Sequence, residues 1–431
     1  MPTTRLDNAV VLTMEPGATP VHAGTVVVEN ERIVYAGPAD SAPATPDATV
    51  VDCAGGVLLP GLVNAHTHVA MTLLRGYADD MPLKSWLEDK IWPLEAKLLP
   101  EDVYWGTLLG IAEMLRGGVT CCCDMYHFFR ESTRAMVDGG IRGCPSGVLL
   151  GFQPHPERLL DDARAFVLEI QAQQYPRLHP MFGPHAPYTC TDEILREVRQ
   201  EALKLGVPIH IHVSETQHEV EESLAQYGMT PVERLDRLGL FEARVTAAHC
   251  VHLTDHDFEI LAEKRVGVAH CPGSNLKLAS GFAPVSRLLA AGAVVGLGTD
   301  GCASNNNLDM FQEILLAGLL DKAVLGDPTT MPAETVLALA TREAARVVGL
   351  EDRIGTLTPG KLADLILVDL SRPHLQPLHN VVSHLAYAAR ADDVKLTMVH
   401  GKILYRDGRL TQLDEAEVIA RANESARRLT A

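Results

Sequence analysis

Apolar runs alternate with amphipathic stretches through the middle of the chain. Eight short apolar runs, bounded by glycine, proline or polar residues, are typical of buried strands: "VLLPGLVNAH", "GVTCCCDMY", "RGCPSGVLL", "LHPMFGPHA", "VPIHIHVSE", "VTAAHCVH", "VGVAHCP" and "VVGLGTDG". The stretches between them, such as "CTDEILREVRQEALKLG", begin with a capping Thr or Asp and end at Gly, as helices do. Eight such units over roughly 290 residues predict an α/β fold based on a (β/α)8 barrel.

The two ends of the chain share a different pattern, in which short Val-rich strands alternate with turns. It covers "AVVLTM", "GTVVVENERIVYAG" and "ATVVDCAGG" near the start, and "GTLTPGKLADLILVDL" and "VKLTMVHGKILYRDG" near the end. We therefore predict a small β-sandwich domain built from residues 1–58 and 356–431, the latter including a terminal helix, around a barrel over 59–355. An open doubly wound sheet is the main alternative, but the GxGxxG loop that would favour it is absent.

One connection is unusually long. The stretch from His68 to Pro100, with "SWLEDKIWPLE" as its most distinctive part, exceeds the usual length of a strand-to-helix loop in such barrels. We expect it to form loops and short helices over the mouth of the barrel.

Charge and composition exclude several classes of partner. The chain has 37 Lys and Arg against 55 Asp and Glu, a formal net charge of −18, and no basic patch, so nucleic acid and anionic membranes are poor partners. The nine cysteines lack disulfide or CxxC spacing, which fits a reducing compartment. The start of the chain does not resemble a signal peptide and no apolar run reaches about 18 residues, so a cytoplasmic location is expected.

Two histidines follow the first predicted strand, in "GLVNAHTHVAMTLLRG". Residues i and i+2 of a strand point to the same face, so His66 and His68 at its carboxyl end are able to bind one ion. Alone, an HxH pair is weak evidence for a metal site, and two hydrogen-bonded loop histidines are the simpler alternative.

Further candidate ligands recur at the ends of later strands, where barrel enzymes build their active sites. "PIHIHVSE" ends the fifth predicted strand with His210, His212 and Glu215. "TAAHCVH" ends the sixth with His249, and "GLGTDG" ends the eighth with Asp300. This repetition at one end of the barrel favours a metal-dependent active site over coincidence.

Several of these residues also have simpler interpretations. His210 is expected to face the outside of the barrel or to pack structurally, and His252 and His270 fit core positions or positions behind the ligands. Asp300 precedes a glycine and could simply begin a turn. The compact zinc motifs HExxH and CxxC are absent.

The order of the motifs adds a resemblance that covers nearly the whole chain. "PGLVNAHTH", "HVSET", "AAHCVHL", "CPGSNLKL", "LGTDG" and "GTLTPGKLADL" occur in the order seen in the amidohydrolase superfamily. Within it, "HVAMTLLRGYADDMPLKSWLEDKIWPLE", "GPHAPY" and "TDGCASNNNLDMF" resemble the 5'-methylthioadenosine/S-adenosylhomocysteine deaminase family. The resemblance implies a hydrolase that acts on a C–N bond of a nucleoside, in a homo-oligomer.

The resemblance also implies one divalent metal ion, usually zinc, bound by His66, His68, His212 and Asp300. Dinuclear relatives carry a lysine at the end of the fourth strand, whereas "GPHAPY" places His185 there. Three imidazoles and one carboxylate suit zinc or a neighbouring divalent ion.

A hydrolytic mechanism follows from these residue types. A divalent ion lowers the pKa of bound water from about 15.7 to near 7. Asp300 is expected to accept a proton from that water and His249 to orient it. Attack at C6 of an adenine loads charge onto N1, for which Glu215 is the expected proton donor. A helix-capping role is the alternative for Glu215.

For the rest of the substrate, the resemblance places Glu95 on the ribose hydroxyls and His185 beside the nucleoside. Ser304 is expected to contact the base. Trp86 and Trp92 are candidates to line an apolar pocket for a 5' thioether, or to pack the segment over the barrel mouth.

One departure bears on the substrate. Some members of the family that this chain resembles accept S-adenosylhomocysteine and carry two arginines after the third strand, suited to a carboxylate. Here Ser146 occupies the first position and only Arg158 roughly fits the second, which favours 5'-methylthioadenosine or a related adenosine. A deaminase or chlorohydrolase of a triazine, guanine or pterin is the first alternative, and a non-catalytic assembly protein of the superfamily is the second. All four proposed ligands are present, which argues against the second.

Overall fold

In the part of the chain that the structure describes, seventeen strands form two separate sheets. The computed structural model describes residues 3–152 and 156–431. Its strands are β1 Thr3–Val11, β2 Val21–Glu29, β3 Arg32–Pro38, β4 Thr49–Asp52, β5 Val57–Pro60, β6 Leu62–Thr67, β7 Val119–Tyr126, β8 Arg142–Leu149, β9 Met181–Pro184, β10 Ile209–Val213, β11 Val245–His249, β12 Gly267–His270, β13 Val294–Leu297, β14 Leu365–Val368, β15 Val394–Val399, β16 Lys402–Arg406 and β17 Arg409–Leu410.

Strands β6 to β13 pair in chain order, all parallel, in an eight-stranded sheet. Almost every residue in them is buried, as expected for parallel strands covered by helices on one face and filled by side chains on the other. The α/β barrel predicted from the sequence is therefore confirmed.

The two outer strands of this sheet meet and bring the barrel close to closure. The Asp300 amide donates to the His66 carbonyl over 3.0 Å, and the Thr299 amide donates to the Asn64 side chain over 3.0 Å. A Cβ at Gly298 would lie 2.8 Å from the backbone nitrogen of His66, so the close approach of these two strands requires glycine at position 298.

The second sheet has nine strands, drawn from both ends of the chain. Its order is β17-β16-β15-β14-β5-β1-β2-β3, with β4 paired to β1 in parallel, and most of its other pairs are antiparallel. Both termini therefore build one sheet, as the fold prediction required. The exact domain limits at 58 and 355 stay a prediction.

The first predicted barrel strand, "VLLPGLVNAH", is wrong as a single element. Val57–Pro60 belongs to the antiparallel sheet and Leu62–Thr67 to the barrel. Gly61 marks the junction, where its amide donates to the Asp364 carbonyl over 3.0 Å. Both halves are equally apolar because each is buried in its own sheet, so the pattern alone did not separate them.

Helices occupy the intervals between the barrel strands and also follow the last of these strands. They are α1 Leu83–Trp86, α2 Trp92–Glu95, α3 Pro100–Arg116, α4 Phe129–Gly139, α5 Pro156–Gln173, α6 Asp192–Leu205, α7 Gln217–Tyr227, α8 Pro231–Arg237, α9 Asp255–Glu263, α10 Pro272–Lys277, α11 Val285–Ala290, α12 Met310–Leu325, α13 Ala333–Leu339, α14 Arg342–Val347, α15 Val381–Tyr387 and α16 Glu415–Thr430. Short 3-10 turns cover Ala39–Ser41, Val69–Leu74, Leu240–Glu242, Pro373–Leu375 and Ala391–Asp393. None of the helices in the described part of the chain is long and apolar enough to cross a bilayer.

The long connection after the first barrel strand folds into short helical pieces. A 3-10 turn over Val69–Leu74 is followed by α1, a π-helical turn over Leu87–Ile91, and α2. We call Leu83–Glu95 the mouth segment, because five of its side chains line the pocket at the carboxyl end of the barrel: Leu83, Trp86, Leu87, Trp92 and Glu95. This arrangement agrees with the prediction of short helices over the barrel mouth.

Candidate metal centre and active site

Side chains from four strand ends meet at the carboxyl face of the barrel. His66 lies in β6 and His68 directly after it, His212 lies in β10, His249 ends β11, and Asp300 follows β13. Because the strands are parallel, their carboxyl ends share one face, and alternation along each strand directs these side chains inward. The structure thus brings together residues up to 234 positions apart.

The nitrogen and oxygen atoms of this cluster face one another at short range. The Nε2 atoms of His66 and His68 each lie 3.3 Å from Asp300 Oδ1, and His68 Nε2 lies 3.2 Å from His212 Nε2. His66 Nε2 is fully buried and has no hydrogen-bond partner among the described residues. Lone pairs that converge in this way repel one another unless a cation lies among them. The donor set is the one expected for zinc or a similar divalent ion.

Two of the three imidazole rings are oriented by backbone carbonyl groups. His68 Nδ1 donates to the Met125 carbonyl over 2.6 Å, and His212 Nδ1 donates to the His185 carbonyl over 2.7 Å. A carbonyl oxygen only accepts, so the proton of each neutral ring is on Nδ1 and the Nε2 lone pair points into the cluster. Both rings are therefore in the tautomer that binds a metal ion.

Asp300 is held by two hydroxyl groups. Ser274 Oγ donates to Asp300 Oδ2 over 2.6 Å and Ser304 Oγ donates to the same oxygen over 2.7 Å, which leaves Oδ1 for the histidines. Burial raises the pKa of the Asp300 carboxyl, but its contacts with His66 and His68 outweigh burial and lower that pKa well below the ordinary value. Asp300 is therefore a carboxylate.

Glu215 and His249 lie side by side next to the cluster. Glu215 Oε2 is 3.8 Å from His249 Nε2, and Ser280 Oγ donates to Glu215 Oε1 over 3.3 Å. His249 Nδ1 contacts Asn275 Oδ1 at 2.9 Å. Burial raises the pKa of Glu215. Burial lowers the pKa of His249, but the carboxylates of Glu215 and Asp300 outweigh burial and raise it. Raised pKa values of two adjacent groups make this pair a candidate for proton transfer.

The backbone is strained where the strands deliver these side chains. Ser214, His249 and Asp300 have positive φ angles of 51°, 72° and 63°, a conformation that residues other than glycine seldom adopt. The Glu219 carboxylate accepts the amides of Ser214 over 3.0 Å and Glu215 over 2.8 Å. The turn that carries Glu215 is therefore fixed by a side chain of the following helix, α7.

A pocket opens above the cluster and is bounded on one side by the mouth segment. Glu95 reaches into this pocket, where its Oε2 lies 3.6 Å from His127 Nε2. Neither Glu95 Oε1 nor the Tyr126 hydroxyl, both buried, has a hydrogen-bond partner in the described part of the chain. His185 lines the pocket near His212, and burial lowers the pKa of its ring to about 3, so it is neutral.

Most of the residues expected from the sequence line this one pocket. The structure places there His68, Glu95, His185, His212, Glu215, His249, Asp300 and Ser304, with His66 buried directly behind them. The Ser304 hydroxyl donates to Asp300, and its contact with a base stays a prediction. The helix-capping alternative for Glu215 is wrong, since Thr216 caps α7.

The two positions compared with the arginines do not line the pocket. The Ser146 hydroxyl is buried in the barrel and donates to the Asp124 carbonyl over 2.9 Å. Arg158 is exposed on α5. Residues 153–155, in the same stretch, lie outside the described residues.

His210 is the main correction to the sequence analysis. An outward orientation is wrong: His210 is completely buried, and its Nε2 lies 2.7 Å from His66 Nδ1. The HxH spacing in "HIH" contained this signal, since His210 and His212 share one face of β10 and His212 faces inward. A structural role, the other expectation, agrees with this position.

Sequence reasoning also missed residues that support the site. Ser274, Asn275, Ser280 and Glu219 contact the proposed catalytic groups, but their side chains are common in turns and helix ends and carry no spacing signal. His252 lies behind the site, with Nε2 2.6 Å from the Ser280 carbonyl, whereas His270 is buried outside the pocket.

Comparisons with known proteins agree with this geometry. The model of the amidohydrolase family matches residues 57–404. A 5-methylthioadenosine/S-adenosylhomocysteine deaminase of Pelotomaculum thermopropionicum is 48% identical over 425 residues, 98% of each chain. A 5'-deoxyadenosine deaminase of Methanosarcina mazei is 47% identical over 99% of this chain and 98% of its own.

A solved structure gives the same result. It is an adenosine deaminase from Xanthomonas campestris with bound zinc, 43% identical, with a TM-score of 0.95 over 99% of this chain and 98% of the other. With a family model that matches most of the sequence and relatives near half identity over its whole length, the chain belongs to the amidohydrolase family.

Proposed function

We propose that this protein is a metal-dependent hydrolytic deaminase that converts a 5'-modified adenosine, foremost 5'-methylthioadenosine, to the inosine analogue and ammonia. One observation carries the proposal: a three-histidine, one-aspartate cluster lies beside a buried carboxyl group, Glu215, beneath a pocket that also contains Glu95. The histidine and aspartate cluster with Glu215 suits hydrolysis, and Glu95 in the pocket suits recognition of a nucleoside. The names of the two curated relatives and of the solved relative support the same chemistry.

The proposed ligands of the ion are His66, His68, His212 and Asp300, and zinc is the proposed metal. Support comes from the buried, unpartnered Nε2 of His66 and from the two rings whose Nδ1 protons point away from the cluster. When bound, such an ion supplies Lewis acidity and lowers the pKa of a water molecule to near 7.

Glu215 protonates the ring. Addition of water at C6 of the adenine places negative charge on N1, and burial, which raises the pKa of the Glu215 carboxyl group, favours the protonated form that donates there. The hydroxyl of Ser280 and the backbone amides bound by Glu219 keep this carboxyl in one position.

Asp300 and His249 handle the water and its protons. His249 Nε2 orients the attacking water, and Asp300 accepts one proton from it as the C6–O bond forms. The C6–N6 bond then breaks, and the Asp300 proton leaves with N6 as ammonia. N1 keeps the proton from Glu215, and the second water proton restores that carboxyl group, so atoms and protons balance.

Glu95 binds the ribose. Its buried Oε1 lacks a partner in the described part of the chain, while His127 contacts the other oxygen. A buried carboxylate oxygen without a donor is costly, and a sugar hydroxyl group would satisfy it. The vicinal diol of a ribose is able to donate hydrogen bonds to such a carboxylate. A free base or a triazine has no such diol.

The side of the pocket formed by the mouth segment selects an uncharged 5' substituent. Its apolar side chains are Leu83, Trp86, Leu87 and Trp92, and Val148 of β8 and Leu150, directly after β8, extend the apolar wall of the same pocket. Among the described residues, no arginine or lysine lines the pocket. A thioether or methyl group is compatible with these surfaces, whereas the charged amino acid of S-adenosylhomocysteine would lose hydration without gaining a partner.

Replacement of Glu95 tests the proposal. We expect Glu95→Gln to lower kcat/KM for 5'-methylthioadenosine by about 10- to 100-fold, through loss of a charge-assisted hydrogen bond. Glu88→Gln is the matched control, since Glu88 is exposed in the same segment. Deamination, followed by the adenine-to-hypoxanthine absorbance change, gives the rate, and an unchanged kcat/KM would remove Glu95 from nucleoside recognition.

The homo-oligomer expected from the resemblance stays a prediction, which sedimentation velocity would test.

A further inference from the structure

His66 differs from the other two histidine ligands in what holds its ring. His68 and His212 donate from Nδ1 to backbone carbonyls, whereas Nδ1 of His66 lies 2.7 Å from Nε2 of another ring, that of His210. Both His66 and His210 are completely buried, with ring planes 84° apart. A carbonyl fixes the direction of a hydrogen bond, but a second imidazole does not.

The direction of this hydrogen bond decides whether His66 is able to bind an ion. A separation of 2.7 Å between two ring nitrogens requires one proton between them. If His210 Nε2 donated that proton, the neutral His66 ring would carry its own proton on Nε2, the atom that faces the cluster. Metal binding therefore requires that His66 Nδ1 donates and that His210 Nε2 accepts.

The contacts beyond His210 favour the required direction. His210 Nδ1 lies 3.4 Å from Cys123 Sγ, and Cys123 Sγ lies 3.4 Å from Met181 Sδ. A thioether only accepts, so the Cys123 thiol proton is directed to Met181 when that contact is a hydrogen bond. Cys123 then accepts from His210 Nδ1. Only one arrangement of protons uses all three contacts, and it leaves His210 Nε2 free to accept from His66.

We infer that His210 is a positioning residue which, with Cys123 and Met181, keeps His66 in the tautomer that binds the divalent ion. The inference rests on the proposed metal site but not on the proposed substrate. It gives the HxH spacing of β10 a physical meaning, because one histidine of the pair is a ligand and the other orients a ligand from a distant strand. Groups in this position behind a metal ligand typically change metal affinity by about 10- to 100-fold.

Zinc affinity of the metal-depleted protein, measured by competition with a chromophoric chelator, tests the inference without substrate. We expect His210→Leu, which removes the acceptor, to raise the zinc Kd by about 10- to 100-fold. His210→Gln should restore most of the affinity, because its side-chain oxygen reaches the position of Nε2 and accepts from His66. Met181→Leu, of similar volume, should raise the Kd by a smaller factor. His270→Leu is the matched control, a buried histidine of β12 outside the pocket, and should leave the Kd unchanged.

A second measurement on the unsubstituted protein applies even where the leucine variant fails to fold. Nitrogen-15 shifts of the His66 ring, assigned by comparison with a His66→Gln sample, should show a protonated Nδ1 and an unprotonated Nε2 in the metal-depleted protein. A protonated Nε2, or a folded His210→Leu protein with unchanged zinc affinity, would overturn the inference. Failure to bind zinc at all would overturn the metal site and this inference together, whereas normal zinc binding without deamination would overturn only the proposed substrate chemistry.

Discussion

In the proposed mechanism, turnover depends most on the carboxyl group of Glu215. It is buried beside His249, receives a hydrogen bond from Ser280, and stands on a turn whose amides are bound by Glu219. Its position is therefore set by three separate elements of the barrel. Its carboxyl group is 3.8 Å from His249 and is not among the side chains that converge in the proposed metal cluster.

Replacement of that carboxyl group separates catalysis from metal binding. We expect Glu215→Gln to retain the full metal content while kcat for 5'-methylthioadenosine falls by about 100- to 10,000-fold, because the amide is a poor proton donor to N1. Metal analysis and absorbance-based turnover give the two quantities. The control is Glu222→Gln, a half-exposed glutamate of α7. A variant with parental kcat would exclude Glu215 as the acid.

The sequence predicted the members of the site better than their connections. The candidate ligands and their neighbour were recognisable because each lies at the end of an apolar strand or shortly after it, and strand ends share one face of a barrel: His66, His68, His212, His249 and Asp300. The contact between His66 and His210 joins residues 144 positions apart, so no local pattern reveals it. Hydroxyl groups such as that of Ser274 were missed for another reason, because serine is common at turns and helix ends and its presence there indicates no particular role.

At the scale of elements, the junction between β5 and β6 is the tightest constraint near the site. A Cβ at Gly61 would lie 2.1 Å from Oγ1 and 2.6 Å from Cβ of Thr120, which is itself completely buried. The chain passes from one sheet to the other at this point and reaches His66 five residues later. A shift of this junction would therefore move a proposed metal ligand.

We expect Gly61→Ala to lower the free energy of unfolding by about 1–3 kcal/mol, the usual cost of overpacking. Adding Thr120→Ala should recover only part of the loss, because Cβ of residue 120 remains in place. Urea denaturation of the two single variants and the double variant gives the coupling energy between the two positions. Additive losses would show that the contact between them is not the cause.

The eight barrel strands could be predicted because they are buried on both faces and therefore appear as short apolar runs. The division of "VLLPGLVNAH" between two sheets could not, since Val57–Pro60 and Leu62–Thr67 are equally apolar and buried. Which sheet each half joins is decided by partners far along the chain, β14 for the first half and β7 for the second.

On the scale of the whole molecule, one buried ion pair joins the barrel to the terminal sheet. Arg142 at the start of β8 donates to both oxygens of Asp364, over 2.7 and 3.0 Å, and both side chains are excluded from solvent. The Asp364 carboxylate also accepts the His400 amide over 2.8 Å, next to β15. The pair thus connects three segments that approach from different parts of the chain.

Removing one member of this pair leaves a buried charge without a partner. We expect Asp364→Ala to lower the free energy of unfolding by about 3–5 kcal/mol, and Arg142→Met/Asp364→Leu to recover most of that loss. Thermal and urea unfolding of the set measure both effects. Arg116→Met is a useful control, since its pair with Glu415 is more than one third exposed and worth little. Equal losses in the single and double variants would contradict the account.

We propose that the cluster of histidines and Asp300 binds an ion that this protein needs to deaminate a 5'-modified adenosine. The most direct measurement follows 5'-methylthioadenosine with the protein as purified, after removal of metal by a chelator, and after addition of zinc. We expect one ammonia released for each adenine converted to hypoxanthine, loss of the reaction on metal removal, and its recovery with zinc. A protein that binds one zinc ion at this cluster and leaves 5'-methylthioadenosine, 5'-deoxyadenosine and adenosine unchanged would contradict it.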